Sequence, residues 1–163
     1  MSKTKFSDLR QGATVYTVHA FDPSCKSVAG EQWAGWITKH FVTGKPYMHT
    51  DIGVVVPTMT RNTIWGNWEP DKFFLTTFGV KAPGDKLWPQ TNHGCFNSYS
   101  AAKRHMDRIA SGCMTKVEHE RAARYRAMRE MMDESDSMYG DQEYEEAAAA
   151  YYDEVENAVE NAQ

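Results

Sequence analysis

Short runs of β-branched and aromatic residues divide the first eighty residues of the chain into predicted strands. Such residues fit a pleated, half-buried surface, whereas the glycine and proline residues between the runs favour turns. Gly35 is expected to weaken or bulge the second strand, and Pro57 is expected to end the third. The predicted strands are residues 13–21, 32–42, 52–58, 63–68 and 72–80. Strands this short, joined by long connections, predict a small twisted antiparallel sheet or an open barrel.

Helical spacing replaces the strand pattern after a loop-like segment at residues 81–97. Apolar residues recur every three or four positions from Tyr99 to Ile109, which places them on one face of a helix. Ser98 is a typical N-cap residue for this helix, and Gly112 is a typical residue at its C-terminal end. We therefore expect one helix at this position, packed on the sheet.

The rest of the chain predicts two further helices joined by a turn. Thr115 and Glu118 have the spacing of a helix capping box, and residues 135–140 are predicted to form the turn. Beyond the turn, apolar side chains recur at intervals of four, three, four, three and four residues, which predicts a single seam on one helix. The seam consists of Tyr144, Ala148, Tyr151, Val155, Ala158 and Ala162. Because the helix before the turn has its own apolar stripe, we expect the two helices to pack as a hairpin.

These elements together predict an α+β protein with two parts. The length of 163 residues and the 41% of hydrophobic residues suit one compact domain with an appendage. Residues 1–113 are expected to form the β-rich core domain, in which one helix packs on a small twisted antiparallel β-sheet or open barrel. Residues 114–163 are expected to form a C-terminal α-helical hairpin with an acidic second helix.

Charge is distributed unevenly along the chain, although the net charge is only −4. Residues 1–113 contain 13 Lys or Arg and 8 Asp or Glu, and residues 114–129 contain 5 and 2. Residues 130–163 contain 12 acidic residues and no Lys or Arg. Such a one-sided block is either a solvated helix face or a surface for a basic partner. A helix rises about 1.5 Å per residue and duplex DNA carries a charge about every 1.7 Å, so carboxylates repeated along a helix can imitate DNA.

The acidic helix therefore supplies the main candidate binding surface. Its tyrosines would add rigid contact area with a polar tip, which is favoured at protein interfaces. The expected partner is a protein with a basic surface, and the best match is an enzyme that itself binds nucleic acid. The candidate partner-binding residues are Tyr144, Glu145, Glu146, Tyr152, Asp153, Glu156 and Glu160.

Tryptophans provide an alternative surface for single-stranded nucleic acid. Two W-x-x-W pairs occur, and positions three apart on a strand point to opposite faces, so each pair leaves one ring exposed unless a bulge redirects it. Exposed tryptophans beside cations suit base stacking, although packing beneath loops would also explain them. The candidate residues are Trp33, Trp36, Lys39, Lys45, Arg61, Trp65 and Trp68. In this alternative, the acidic C-terminal segment competes for the protein's own basic groove.

Catalytic and metal-binding patterns are sparse. His49 with Asp51, and His93 with Cys95, are the residues from which an active site could be built. No nucleophile elbow, cysteine-protease signature, phosphate loop or dinucleotide-binding motif accompanies them. One H-x-C pair does not have the spacing of a zinc site. We therefore expect a protein that is not an enzyme and that uses no cofactor and no metal.

The sequence also carries expectations about the compartment. No apolar run reaches 18 residues, and the N-terminal stretch MSKTKFSDLRQG lacks the apolar segment of a signal peptide. An odd set of three cysteines indicates reduced thiols rather than a disulfide framework. We therefore expect a cytoplasmic protein that does not enter a membrane.

Three stretches give the chain a resemblance to small accessory proteins of tailed bacteriophages. They are the opening strand LRQGATVYTVHAF, the helix FNSYSAAKRHMDRI and the acidic C-terminal helix, and the resemblance extends over most of the chain. The resemblance implies a viral protein in the host cytoplasm that binds and inhibits or modulates a host protein. Host RNA polymerase, nucleases and restriction or defence enzymes are the targets that it implies. It assigns no role to any single residue.

Overall fold

The computed structural model describes residues 3–27, 29–49, 53–61, 66–85 and 91–161, with the backbone alone described at 135–148, 152, 155 and 159. The strands and helices are, in chain order, β1 (Thr14–His19), β2 (Trp36–Val42), β3 (Tyr47–His49), β4 (Gly53–Thr60), β5 (Glu69–Phe74), β6 (Gly94–Phe96), α1 (Tyr99–Ala110) and α2 (Lys116–Asn161). Single turns of 3-10 helix occur at Phe6–Asp8 and Thr76–Phe78.

Within these described ranges, six strands form one curled antiparallel sheet. Its order is β3-β4-β2-β1-β6, and β5 pairs with β4 off this path. β1 pairs with β2 from Thr14 opposite Phe41 to His19 opposite Trp36, and it pairs with β6 along its other edge. The curled sheet with its helices confirms the predicted α+β class.

Alternation along β1 builds a core cluster on each face of the sheet. Val15 belongs to one cluster, whose members come from the strands and from the chain around both 3-10 turns. Val18 belongs to the other cluster, where it packs with Ala102 and Ile109 of α1. Burying a side chain such as Ile109 contributes about 1.5–3 kcal/mol, so apolar contact holds α1 on the sheet as predicted.

Local signals set the ends of α1 and the start of α2. The Ala101 N–H donates to the Ser98 hydroxyl at 3.3 Å, which confirms the predicted N-cap. Gly112 has φ +77° just after α1, a conformation that favours glycine. At α2 the Thr115 N–H donates to the Glu118 carboxylate at 2.8 Å, and the Glu118 N–H donates back to the Thr115 hydroxyl at 3.3 Å. These reciprocal bonds confirm the predicted capping box.

Glycine and proline act differently from the prediction in β2 and β4. β2 begins at Trp36, so Gly35 precedes the strand and forms no bulge within it. A Cβ on Gly35 would lie 2.5 Å from the His19 carbonyl oxygen, so glycine here permits a close backbone approach. Pro57 lies inside β4 rather than at its end. It stands where β4 passes from pairing with β3 to pairing with β2, and its carbonyl accepts a hydrogen bond from the Thr43 N–H at 3.0 Å.

Other predicted strand positions also change. The strand predicted at 72–80 is replaced by β5, which ends at Phe74, and by the 3-10 turn that Gly79 closes at φ +70°. β3 and β6 were not predicted, because three residues are too few to give a periodic signal. The strand predicted at 63–68 lies partly outside the described residues, and 66–68 are irregular.

The predicted turn of the hairpin is wrong, because residues 135–140 belong to the single helix α2. Gly140 costs a helix only about 1 kcal/mol relative to alanine, and 135–140 contain no proline to interrupt the hydrogen bonding. The alanine run at 147–150 favours helix on the C-terminal side of Gly140. The apolar seam that the hairpin was expected to bury is therefore exposed to solvent at Tyr151, which is 64% exposed, and at Ala158.

The chain forms two compact units, Met1–Tyr125 and Arg126–Gln163. The first turns of α2 belong to the first unit, where Glu118 and Ala122 are buried. The second unit consists of the rest of that helix. The domain boundary predicted between residues 113 and 114 concerns independent folding and stays a prediction.

Candidate functional site

An aromatic cleft of ≈320 Å³ lies on the sheet and is lined by Thr14, Lys39, Phe41, Met59 and Trp68. Lys39 and Phe41 are two residues apart on β2 and therefore share a face. Phe41 pairs with Thr14 on one side and with Met59 on the other. Phe41 and Trp68 are 43% and 44% exposed. The cleft thus combines two accessible aromatic rings with one ammonium group.

The coverage of the sheet by α1 explains why this cleft is open. Tyr16 and Val18 share a face of β1 with Thr14, and both pack in the cluster that α1 covers. Tyr16 also makes an edge contact with Tyr99 at the start of α1, with ring centroids 6.1 Å apart. Thr14 lies at the other end of β1, so the surface around it is left to the aromatic cleft.

The residues predicted for a nucleic-acid surface do not all come together. Lys39 and Trp68 line the aromatic cleft. Trp36 lies three residues before Lys39 and so on the opposite face, where its ring stacks on His19 at 4.2 Å and stays 50% exposed. Trp33 is half-buried and packs edge-on against Phe21 at 5.3 Å.

The remaining members of that predicted set lie elsewhere. Lys45 and Arg61 are exposed but do not line the aromatic cleft, and Trp65 lies outside the described residues. Phe41 was not predicted as a site residue. Its signal was present, since it follows Lys39 by two positions within the predicted strand 32–42 and must share its face.

Three histidines, the half-buried His19 and His93 and the buried His40, pack against aromatic rings. His93 Nδ1 accepts a hydrogen bond from the Ala20 N–H at 3.1 Å, and burial lowers its pKa to about 4. His19 lies 4.8 Å from His93 between ring centroids, and burial lowers its pKa as well. His40 bonds to Thr17 at 2.8 Å and to Thr58 at 3.0 Å.

The structure describes three of the four residues named for possible catalysis, which are His49, His93 and Cys95. Burial raises the pKa of the Cys95 thiol to about 11, which leaves it protonated and weakly nucleophilic at neutral pH. Lys72 Nζ donates a hydrogen bond to His49 Nε2 at 2.9 Å, while Asp51 lies outside the described residues. In the ranges that the structure describes, no group of three or more His, Cys, Asp or Glu could hold a metal ion.

A polar network joins α1 to the start of α2. The Glu118 carboxylate accepts hydrogen bonds from Arg108 Nη1 and Nη2, each at 2.7 Å. These bonds are the main cause that lowers the pKa of Glu118 to about 2. Asn92 Nδ2 donates to the Glu118 carbonyl at 2.8 Å, and His105 Nε2 donates to the Asn92 carbonyl at 2.7 Å. The network fixes α1, α2 and the chain before β6 to one another.

The predicted acidic surface lies on the part of α2 that forms the second unit. Asp153, Glu156 and Glu160 are exposed, and their spacing of three and four residues puts them on one face of the helix. Tyr144, Glu145, Glu146 and Tyr152 also belong to α2, but their side chains lie outside the described residues. A row of three carboxylates is therefore the described part of this surface.

Comparison with known proteins places the chain in a family. No curated protein and no solved structure matches it. Among the described residues, no helix is long and apolar enough to cross a membrane. The Phage g100-like protein family matches residues 3–109, a range that contains all six strands and all of α1 except its last residue. Because this match covers more than half of the sequence, the chain belongs to the Phage g100-like protein family.

Proposed function

We propose that this phage-family protein is a non-enzymatic interaction protein that acts in the cytoplasm of the host cell. Its acidic helix binds a basic surface on a host protein that works on nucleic acid, and thereby inhibits or modulates that protein. RNA polymerase, a nuclease or a restriction or defence enzyme fits this description. The observation that carries the proposal is the row of exposed carboxylates Asp153, Glu156 and Glu160.

Charge and exposure support this role for α2. The row lies within residues 130–163, which contain 12 acidic residues and no Lys or Arg, so no cation of the same segment neutralises it. An excess of one sign steers an oppositely charged partner during diffusion and suppresses partners of like charge. An acidic helix of this kind would occupy a groove that otherwise holds the phosphates of DNA.

The proposal is tested by capturing the partner from host lysate with two charge variants. Asp153→Asn, Glu156→Gln and Glu160→Gln together remove the row. Three exposed acids of the first unit, Glu31, Glu69 and Glu120, are changed to glutamine in a control that loses the same net charge.

We expect mass spectrometry to identify a basic nucleic-acid enzyme with the unmodified chain and with the control, and a loss of at least tenfold with the row variant. The captured enzyme should elute at high salt, because salt screens the contact between the charges. It should also elute when duplex DNA is added, because the DNA competes for the same basic surface. Equal capture by all three proteins would exclude the acidic row as the binding surface.

A second candidate function is supported by the aromatic cleft. Lys39, Phe41 and Trp68 present an ammonium group and two stacking surfaces side by side, which suits single-stranded nucleic acid. In this candidate the acidic helix competes with the nucleic-acid strand for the basic groups of the protein. Ending the chain at Tyr139 should then tighten the binding of an oligonucleotide.

Fluorescence titration with oligothymidylate distinguishes this candidate. Trp68→Leu should weaken binding about tenfold, since stacking of one base is worth about 1–3 kcal/mol. Trp36→Leu is the matched control, because Trp36 is similarly exposed on the opposite face. The absence of tryptophan quenching at low salt would exclude the cleft as a nucleic-acid site.

A further inference from the structure

A second cleft, which we call the basic cleft, lies between β6 and α1. It has a volume of ≈450 Å³ and is lined by Lys3, Phe96, Arg104, His105 and Arg108. Lys3 reaches it because it forms an isolated β-bridge with Phe96. The three residues from α1 are spaced by one and three positions, so they project to one side of the helix. The volume lies within the range of small-ligand sites.

The lining of the basic cleft is cationic. Three of the five described residues that line it are Lys or Arg, and one of the three, Arg108, is paired with the Glu118 carboxylate. Lys3 and Arg104 are exposed, whereas Arg108 is held in place by two hydrogen bonds to Glu118. Burial is the largest cause that lowers the pKa of the neighbouring His105, and the hydrogen bond to the Asn92 carbonyl raises it. The charges of Lys3 and Arg108 lower this pKa further, against the opposite effect of Glu118. Because Glu118 offsets Arg108, the positive charge of the rim comes from Lys3 and Arg104.

The apolar wall of the basic cleft is fixed by packing. The Phe96 ring lies 5.0 Å from the His105 ring between centroids. Gly94 lies directly beside that ring, because a Cβ at this position would come within 2.6 Å of Phe96 Cε2. Any larger residue at position 94 would displace the ring. Because Phe96 is only 3% exposed, this apolar wall is the inner end of the cleft, and the cationic side chains form its rim.

This combination selects a particular chemistry. A phosphate monoester carries a charge of about −1.5 to −2 at neutral pH, which matches several cations better than a single carboxylate does. Arginine forks bind phosphate oxygens in pairs, and lysine binds them as a point charge. The apolar wall suits the base or sugar that accompanies the phosphate. Neither the acidic helix nor the aromatic cleft contributes to this lining.

We propose that the basic cleft binds a nucleotide through its phosphate monoester, with Lys3 and Arg104 contacting the phosphate and Phe96 contacting the nucleoside. The nucleotide is either free or stands at the 5′ end of a nucleic-acid strand, since both present the same group. This site goes beyond the proposed binding of a host protein, and its failure would leave that proposal untouched.

The test is an NMR titration of the full chain at low salt with four probes. They are adenosine monophosphate, inorganic phosphate, a 5′-phosphorylated oligothymidylate and the same oligomer without the phosphate. We expect the amide signals of Lys3 and Phe96 to shift with the nucleotide or with the phosphorylated oligomer. A response to the mononucleotide alone indicates a free nucleotide, and a response to the phosphorylated oligomer alone indicates a strand end.

Variants decide whether the cationic rim is the cause. Lys3→Gln and Arg104→Gln should each weaken binding about tenfold, and both positions are exposed, so the fold should persist. Lys103→Gln is the control, because Lys103 is the exposed neighbour of Arg104 and pairs with Asp107 at 2.6 Å outside the cleft lining. The proposal would be overturned if the oligomer without the phosphate bound as tightly as the phosphorylated one, or if the control lost as much binding as the rim variants. It would also be overturned if neither the nucleotide nor the phosphorylated oligomer gave a response at millimolar concentration.

Discussion

Glu118 is a buried carboxylate whose charged form is held by Arg108 and by the Thr115 N–H. Its pKa in the folded protein is about 2, below the ordinary value of 4.5, so its stabilisation is present above pH 4.5 and is lost as the pH falls toward 2. Glu118→Gln should lower the free energy of unfolding by about 1–3 kcal/mol at pH 7. Urea unfolding should show this difference shrinking at pH 3.

The exposed ion pair between Lys103 and Asp107 provides the control for Glu118. Like Glu118→Gln, Asp107→Asn removes a carboxylate that is paired with a cation, here Lys103. Because water solvates both partners of this pair, the change should not shift the urea midpoint measurably. If Glu118→Gln costs no more than Asp107→Asn at pH 7, the network between α1 and α2 does not stabilise the fold.

His40 gives a pH dependence of a second kind. Burial lowers its pKa to about 4, against a partly opposing effect of Asp71, whereas the unfolded chain binds the proton near pH 6.5. The stabilisation is therefore present above pH 6.5 and is lost as the pH falls toward 4. His40→Gln should reduce the pH slope of the unfolding free energy in this window by up to about 1.4 kcal/mol per pH unit.

Urea titrations between pH 7.5 and pH 4 measure the slope for His40→Gln. His119→Gln is the control for losing an imidazole, because His119 is exposed at the start of α2. His93 is half-buried and its pKa is also lowered to about 4, mainly by burial, so a part of the slope should survive in the His40 variant. A slope identical to that of the unmodified chain would show that His40 is not buried as a neutral ring.

At the scale of elements, Gly140 tests the continuity of α2. In a helix interior, glycine is about 0.5–1 kcal/mol less favourable than alanine. Gly140→Ala should therefore raise the helical signal in circular dichroism, whereas Gly140→Pro should reduce it by interrupting the hydrogen bonding. A turn at 135–140 would give the opposite pattern, with proline tolerated and alanine neutral or unfavourable.

Elements governed by local signals were predictable from the sequence, and those governed by distant partners were not. β1 contains a dense β-branched run, and α1 is bounded by Ser98 and Gly112, so each is specified within its own segment. β6 has three residues and exists because Phe96 pairs with Tyr16, eighty positions away. No periodicity inside β6 reports that pairing.

The same distinction applies to the candidate sites. The acidic row follows directly from helical spacing, so it could be predicted. The aromatic cleft requires Phe41 and Trp68 to meet through the pairing of β2, β4 and β5, which the sequence does not specify. The basic cleft depends on Lys3 crossing to Phe96, a contact between residues 93 positions apart.

At the scale of the whole molecule, the family match ends at residue 109, whereas the acidic segment without Lys or Arg begins at residue 130. The match covers residues 3–109, which contain the sheet, the aromatic cleft and all five described lining residues of the basic cleft. The acidic row lies beyond it, on α2. The proposed host-protein surface and the proposed nucleotide site therefore stand on different parts of the chain and can be removed separately.

Two truncations test how much of α2 the sheet requires. Ala122 is the last buried residue among those whose burial the structure describes, so a chain ending at Tyr125 should keep its near-ultraviolet circular dichroism and its urea midpoint. A chain ending at Cys113 loses Glu118 and therefore the hydrogen bonds that Asn92 and Arg108 donate to it. This loss should lower the unfolding free energy by about 1–3 kcal/mol. Equal stability of the two chains would place the end of the folded core before α2, at the boundary predicted from the sequence.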